Sequence, residues 1–155
     1  MLVNLPSFRL LASIAGVKLS KEWRTTSYYD GHTVYCGGMS DHDVLHEISH
    51  ALVARPEQLD LPEFGLGSFC DDDVPRVVDF DEAWIQEHAA GLVSTILGKR
   101  FRIEDVTFGG VPFSSWEHWI EYRSNCLDCA DMRRWRWAAT ALAAATMNRL
   151  EPLLE

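Results

Sequence analysis

The segment from Ser40 to Pro56 constrains the fold of this 155-residue chain most strongly, because its pattern is that of one capped amphipathic helix. Ser40 is a typical helix N-cap, and Asp43 three residues later forms a near capping box. The helix must end near Ala54 or Arg55, because the residue before a proline avoids helical dihedral angles. Apolar residues recur at helical spacing in between; they are Val44, Leu45, Ile48, Leu52 and Val53.

This predicted helix carries the string His46-Glu47-Ile48-Ser49-His50. Residues four apart lie on the same helix face, so the two imidazoles can reach one metal ion. Zinc binds histidine nitrogens at about 2.0–2.1 Å. Glu47 lies close to such an ion without having to bind it, and it can take a proton from a water molecule that zinc polarises. The string therefore predicts a Zn²⁺ site with Glu47 as general base, and the alternative is a pair of surface histidines on an ordinary helix.

A catalytic zinc ion needs a third protein ligand and an open position. A second predicted helix, residues 79–97, contains Glu87 within an apolar stripe, where a carboxylate is costly unless it is paired or bound to a cation. The small residues Ala90 and Gly91 would let the two helices approach closely. Glu87 is therefore the predicted third ligand. A salt bridge from Glu87 to an arginine and ligation by His88 instead are the alternatives.

The pattern His46-Glu47-x-x-His50, followed on a second helix by Glu87-x-x-Ala90, resembles the gluzincin clan of zinc metallopeptidases, particularly its smallest single-domain members. The resemblance covers under half of the chain. It implies that His46, His50 and Glu87 bind Zn²⁺ and that Glu47 is the general base. It also implies a zincin-like fold and a hydrolase that cleaves peptide or protein substrates.

The chain departs from that family's pattern in two respects. Gly91 stands where many such peptidases have an Asp that orients a motif histidine, so Asp43, Asp79 or a backbone carbonyl is expected to take that role. No residue stands out as the group that stabilises the oxyanion. The candidates for it are Tyr28, Tyr35, His118 and Tyr122. The alternative functions are a metal-binding regulatory or interaction domain without peptidase activity and a non-haem iron enzyme, which also uses two histidines and a carboxylate.

The sequence before the motif helix predicts a short helix over residues 7–16, with Ser7 as N-cap and Gly16 as its stop. It then predicts a β-hairpin, with strands Trp23–Tyr29 and His32–Cys36 joined at Asp30-Gly31. The resemblance makes the second of these strands an exposed edge beside the cleft. Such an edge binds the backbone of an extended peptide substrate.

The rest of the chain completes the predicted fold. Residues 56–78 read as a long loop. The second helix begins at a capping box of Asp79 and Glu82 and ends before Gly98. A strand, Phe101 to Val106, and a Gly109-Gly110 turn follow, and then helices over residues 115–123 and 129–150. We expect one domain, residues 1–155, of the α+β class, with a small antiparallel sheet packed on a mainly helical core.

Composition narrows the function classes. The formal net charge is −9, which disfavours a nucleic-acid partner. No stretch has the ~18 apolar residues of a membrane span, and the N-terminus lacks the pattern of a signal peptide. A cytoplasmic protein with reduced thiols is therefore expected.

Three further motifs have competing interpretations. Cys126-x-x-Cys129 is a pair of reduced thiols or half of a metal site, and Asp71-Asp72-Asp73 is a solvated loop or a second cation site. The basic and aromatic segment Arg133 to Trp137 is an anion patch or part of a core helix, in which one of Trp135 and Trp137 packs inward. The core helix is the favoured interpretation.

Overall fold

The computed structural model of the chain describes residues 5–24, 28–67, 75–103, 107–108, 111–112 and 129–155. These contain four α-helices: α1 (Leu5–Ala15), α2 (Asp41–Val53), α3 (Phe80–Arg100) and α4 (Cys129–Leu150). They also contain four short strands: β1 (Lys18–Ser20), β2 (Thr33–Tyr35), β3 (Thr107–Phe108) and β4 (Val111–Pro112). Three 3₁₀ helices span Pro56–Gln58, Pro62–Gly65 and Glu151–Leu153. The mainly helical fold with a small sheet is confirmed.

The N-terminal caps of α2 and α3 confirm the predicted helix starts. The Ser40 hydroxyl accepts a hydrogen bond from the Asp43 backbone N–H at 3.1 Å. The Asp79 carboxylate accepts one from the Glu82 backbone N–H at 2.8 Å. Both caps satisfy amide groups that the first helical turn leaves without a partner. Helix α2 ends at Val53, within two residues of the predicted end.

Helix α1 confirms its predicted end but not its start. Gly16 follows the helix with φ +76°, a left-handed conformation that glycine adopts without steric strain. The helix begins at Leu5, so Ser7 lies inside the first turn and the prediction of Ser7 as N-cap was wrong.

The predicted end of α3 at Gly98 was also wrong, because the helix continues to Arg100. The residue that takes the left-handed conformation is Arg102, with φ +56°. The Ile103 N–H donates to the Gly98 carbonyl at 2.9 Å and the Arg102 N–H donates to the Lys99 carbonyl at 3.2 Å. These two bonds are the Schellman pattern that closes many helices. Gly98 itself is buried inside the last turns.

The principal sheet corrects the predicted antiparallel hairpin. β2 pairs in parallel with β1, in the register Lys18↔Thr33 to Ser20↔Tyr35. A tight turn does occur at Asp30, whose carboxylate accepts the backbone N–H groups of residues 32 and 33, and Tyr29 forms a single antiparallel bridge with Val34. Trp23, at the start of the predicted first strand, is 68% exposed and lies outside any strand.

The second sheet is a two-residue antiparallel pair, in which Thr107 lies opposite Pro112 and Phe108 opposite Val111. The strand predicted over Phe101 to Val106 was wrong at its start, since residues 101–102 form a turn. The predicted Gly109-Gly110 turn falls outside the described residues, as do the predicted helix over residues 115–123 and the Asp71–Asp73 run.

Helix α3 lies at the centre of the fold and packs against both α2 and α4. The predicted bounds of α4 are confirmed, and one side of it is buried at spacings of three and four. Its buried residues are Trp135, Ala139, Ala143, Thr146, Met147 and Leu150. Trp135 is 2% exposed and Trp137 is 83% exposed, which confirms that one of the pair packs inward. No helix in the described ranges is long and apolar enough to cross a bilayer.

Candidate metal centre

Helix α2 places the two motif histidines one turn apart on the side that faces α3. Both imidazoles are buried: His46 is 1% exposed and His50 is 6% exposed. Their Nε2 atoms lie 3.1 Å apart, and the rings meet edge to face with centroids 4.7 Å apart. The alternative of two surface histidines is therefore wrong, because both rings turn into the protein and their nitrogens converge.

Glu87 reaches the same point from α3. Its Oε1 lies 3.2 Å from Nε2 of His46, and its Oε2 lies 3.0 Å from Nε2 of His50. The carboxylate side chain is 14% exposed. Its neighbours one turn away on α3 are small, since Ala83, Ala90 and Gly91 are all buried. The structure thus brings together the three residues predicted as ligands, although they are up to 41 positions apart in the chain.

The spacing of these donor atoms suits a transition-metal ion. Ligand atoms at about 2.0–2.1 Å from a tetrahedral ion lie about 3.3–3.4 Å from one another. The observed separations between His46, His50 and Glu87 are 3.0–3.2 Å, so a small relaxation outward would admit the ion. Two nitrogens and one oxygen are also donors that zinc and iron accept. The residues present therefore fit a metal ion.

Glu47 lies beside this cluster. One of its carboxylate oxygens and a ring nitrogen of each histidine all lie within 4.8 Å of one another. Burial raises the pKa of Glu47 to about 8, with further increases from the carboxylates of Glu63, Glu87 and Asp43 and an opposing effect from His50. We assign Glu87 rather than Glu47 as the candidate third ligand, because both Glu87 oxygens lie directly against the two Nε2 atoms.

The charges of Glu87 and His50 stabilise each other. Burial opposes ionisation of Glu87, but His50 and His46 outweigh it and hold the pKa of this carboxyl well below its ordinary value. Burial also opposes protonation of His50, yet the charge and hydrogen bond of Glu87 raise the pKa of His50 to about 9. A proton on His50 therefore acts as the counter-charge of Glu87 at neutral pH, and a metal cation would replace it.

The other predicted contributors lie elsewhere or have other partners. His88, the alternative ligand, is buried on the next position around α3 and lies beside Trp84, with ring centroids 6.4 Å apart. Asp79 caps α3 through its carboxylate. Asp43 acts on the charge of Glu47. The Nδ1 atom of His50 is buried without a hydrogen-bond partner in the described part of the chain.

The segment after α2, which the sequence indicated only as part of a long loop, packs against the centre. The ring of Phe64 is 1% exposed and stacks on Tyr29 at 4.0 Å and on His50 at 5.7 Å between centroids. Phe64 therefore restricts the orientation of a candidate ligand. Nothing in the sequence of the predicted loop, residues 56–78, distinguished Phe64.

Glu63 is the second residue near the centre that the sequence did not identify. Its backbone and that of Phe64 have φ of +49° and +57°, which is a strained conformation for residues with a Cβ. The Glu63 carboxylate accepts hydrogen bonds from the backbone N–H groups of Tyr28 and Tyr29 at 2.7 and 3.1 Å. These bonds hold the strained turn in place, and the same carboxylate acts on the charges of Glu47 and His50.

A buried pair of amides connects this segment to α3. The side chains of Gln58 and Gln86 donate to each other at 3.0 Å, and the Gln58 amide also donates to the Phe64 carbonyl. Both glutamines are at most 2% exposed. Because Gln86 precedes Glu87, this network fixes the position of the candidate ligand along the helix.

Two of the four oxyanion candidates can be placed. The Tyr35 hydroxyl donates to the Asp30 carboxylate at 2.7 Å, and this bond raises the pKa of the phenol. Tyr28 adjoins the centre through the bond of its N–H to Glu63, and its side chain is 46% exposed. His118 and Tyr122 lie outside the described residues.

The prediction that β2 is an exposed edge strand was wrong. Along one side β2 is bonded to β1, and along the other the Tyr35 N–H donates to the Tyr28 carbonyl at 2.8 Å. The backbone of β2 is therefore occupied on both sides and does not offer an exposed edge. Cys36, which follows it, is a free and buried thiol, whereas Cys70 and Cys126 lie outside the described ranges.

Comparisons with models of known families, with curated proteins and with solved structures returned no match to this chain. The residues and geometry of the candidate centre are therefore what indicate a function for this chain.

Proposed function

We propose that this chain is a zinc-dependent peptide hydrolase with a zincin-like arrangement of α2 and α3. The observation that carries the proposal is the convergence of His46, His50 and Glu87, whose donor atoms lie 3.0–3.2 Å apart in a buried setting. Three donors with an adjacent carboxylate are what a catalytic zinc site requires, since one coordination position stays open.

The roles follow from position. His46, His50 and Glu87 would hold the ion, which when bound acts as a Lewis acid and lowers the pKa of water to about 7. Glu47 would serve as general base, because its carboxylate lies within 4.8 Å of the histidine nitrogens without forming their closest contacts. Glu63 and Phe64 hold the segment that packs on His50. The free thiol of Cys36 agrees with the reducing, cytoplasmic setting that forms part of the proposal.

Metal content of the purified protein tests the centre. We expect about one zinc ion per chain in the wild type and in Glu47→Gln, and loss of the ion in His50→Ala and in Glu87→Ala. His32→Ala is the matched control, because His32 is exposed and bonded to Thr33 outside the centre. A wild-type protein that retains no added metal after dialysis would refute the proposal.

Peptide hydrolysis tests the chemistry separately. A mixture of peptides from a digested protein, followed by mass spectrometry, should show cleavage by the zinc-loaded wild type. Glu47→Gln should lower the rate by about 10²–10⁴-fold, the contribution typical of a general base, while keeping its zinc. Zinc without cleavage would instead indicate a regulatory or interaction domain. Iron in place of zinc would favour a non-haem iron enzyme, which uses the same donor set.

A further inference from the structure

A groove of about 390 Å³ lies between α1 and β1, away from the donors of the candidate centre. We call it the α1–β1 groove. Ala12 of α1, Val17 and Leu19 give it apolar walls, and Arg9 and Lys21 provide its cationic groups. Neither the sequence motifs nor the proposed zinc chemistry gives this groove a role.

One wall of the groove is an edge of β1 that no described strand covers. The Lys18 N–H donates to the His32 carbonyl at 3.1 Å, and the Ser20 carbonyl accepts from the Cys36 N–H at 2.7 Å. Residues 18 and 20 thus direct their backbone groups towards β2, so those of Leu19 point to the opposite side. No strand of the described part of the chain pairs with β1 on that side. An extended peptide can add to such an edge through backbone hydrogen bonds.

The charge at the groove contrasts with the charge of the chain. The chain has 23 acidic and 14 basic residues, and its net charge is −9. Arg9 and Lys21 both border the groove, and neither forms an ion pair with a described residue. Two cations without a counter-ion among the described residues favour a ligand that brings a carboxylate. Two cations are too few for the multiple phosphate contacts of nucleic-acid binding.

Cys36 is the residue of the groove wall on which the charge of Glu47 acts. This side chain is 5% exposed and lines the groove. Burial raises the pKa of its thiol to about 11, and the Glu47 carboxylate adds to the increase. The proposed general base therefore acts electrostatically on a residue of the groove wall.

We propose that the α1–β1 groove binds an extended peptide that carries an Asp or Glu side chain. The peptide backbone pairs with the outer edge of β1 at Leu19, and its carboxylate meets Arg9 and Lys21. As a statement about substrate class, this inference rests on the proposed function, whereas the binding itself requires no metal.

Titration of ¹⁵N-labelled Glu47→Gln protein, followed by NMR, tests the inference. The probes are a capped five-residue peptide with a central Glu flanked by alanines and its counterparts with Gln or Lys at the centre, each to millimolar concentration. The Glu peptide should shift the amide resonances of α1 and β1. It should bind about threefold to tenfold more tightly than the Gln peptide, as expected for one or two exposed ion pairs.

Variants separate the groove from general electrostatics. The double variant Arg9→Ala/Lys21→Ala should lose the preference for Glu over Gln. Lys18→Ala should keep it, because Lys18 is exposed on the same strand and does not line the groove. Equal affinity for the three peptides, shifts confined to other regions, or loss of preference in Lys18→Ala would overturn the inference. The amide spectrum of each variant reports whether it is folded.

The titration is run on metal-free and on zinc-loaded protein. A preference for the Glu peptide in a chain that retains no zinc would support the inference about the groove and refute the proposed function. Zinc binding and peptide hydrolysis without a preference for the Glu peptide would support the proposed function and refute the inference about the groove.

Discussion

The two sides of α3 bury different chemistry. The side that faces α2 carries Gln86 and Glu87, which meet an amide, two imidazoles and the carboxylate of Glu82. The side that faces α4 carries Trp84, which stacks on Trp135 with ring centroids 5.8 Å apart and planes within 12°. One helix thus joins a polar interface to an aromatic one.

The difference indicates that one face of α3 contributes stability and the other contributes the candidate metal site. Buried aromatic surface stabilises in proportion to its area and tolerates small changes of geometry. Buried charges contribute little net stability and require a partner at a definite distance. The α3–α4 face should therefore determine whether the chain is folded, and the α2–α3 face whether it binds metal. Substitutions on the two faces should have separable effects.

The largest expected effect is on the aromatic face. Trp135→Ala should lower the free energy of unfolding by about 3–5 kcal/mol, because it removes a buried indole and its bond to Asp81. Trp137→Ala, on the same helix but 83% exposed, should change it by less than about 0.5 kcal/mol. Urea unfolding measures both. Similar losses in the two variants would contradict the assignment of the buried tryptophan.

The next largest effect is expected on zinc binding, through a substitution on the polar face alone. Glu87→Gln should weaken zinc binding by more than about 100-fold, since even residues that only orient ligands contribute 10–100-fold. The free energy of unfolding of the metal-free protein should fall by less than in Trp135→Ala. Competition with a chromophoric chelator gives the affinity. Glu82→Gln is the control, because this neighbouring carboxylate contacts Gln86 and Arg55 rather than the histidines. Unchanged zinc binding in Glu87→Gln would show that Glu87 is not a ligand.

The pH dependence of zinc affinity sharpens the comparison, because the polar face should respond to pH. Zinc must displace the proton of His50, whose pKa is raised to about 9 in the metal-free protein, whereas the lowered pKa of Glu87 keeps that ligand charged. Affinity should therefore rise by about tenfold per pH unit up to about pH 9. A histidine of ordinary pKa would give a plateau above about pH 6.5. An observed plateau from pH 7 would show that Glu87 does not hold the proton on His50.

The smallest effect concerns the end of the helix that both faces share. Arg102→Gly should raise the free energy of unfolding by about 0.5–1 kcal/mol, because Arg102 is exposed and left-handed at the Schellman closure. Lys99→Gly, inside the last turn, should lower it by about 1 kcal/mol. Zinc affinity should stay the same in both. Destabilisation by Arg102→Gly would mean that the arginine side chain contributes more than its backbone strain costs.

Local signals explain the predictions that hold. The starts of α2 and α3 were readable because Ser40 and Asp79 each bond to an amide three residues on. The spacing of His46 and His50 follows from the helical repeat alone. Glu87 was identifiable because an isolated carboxylate in an apolar helix needs a cationic partner. Each of these arguments involves groups within one or two helical turns.

The predictions that failed depend on contacts between segments that are distant in the sequence. Asp30 does initiate a turn, yet the partner of β2 is β1, which lies before the turn region in the chain. The alternation of residues that favours a strand contains no information about its neighbour. Gly98 looked like a helix stop, but its burial in α3 moved the left-handed residue to Arg102.

The sequence by itself determined the motif helix, the presence of a second helix with an inward carboxylate and the mainly helical class, because these depend on hydrogen bonds and periodicity within short segments. Only the tertiary structure decided that both oxygens of Glu87 meet the two Nε2 atoms, that Phe64 packs on His50 and that Arg9 and Lys21 share a groove. These juxtapositions depend on which surfaces pack together, and packing is set by the whole core rather than by any single segment.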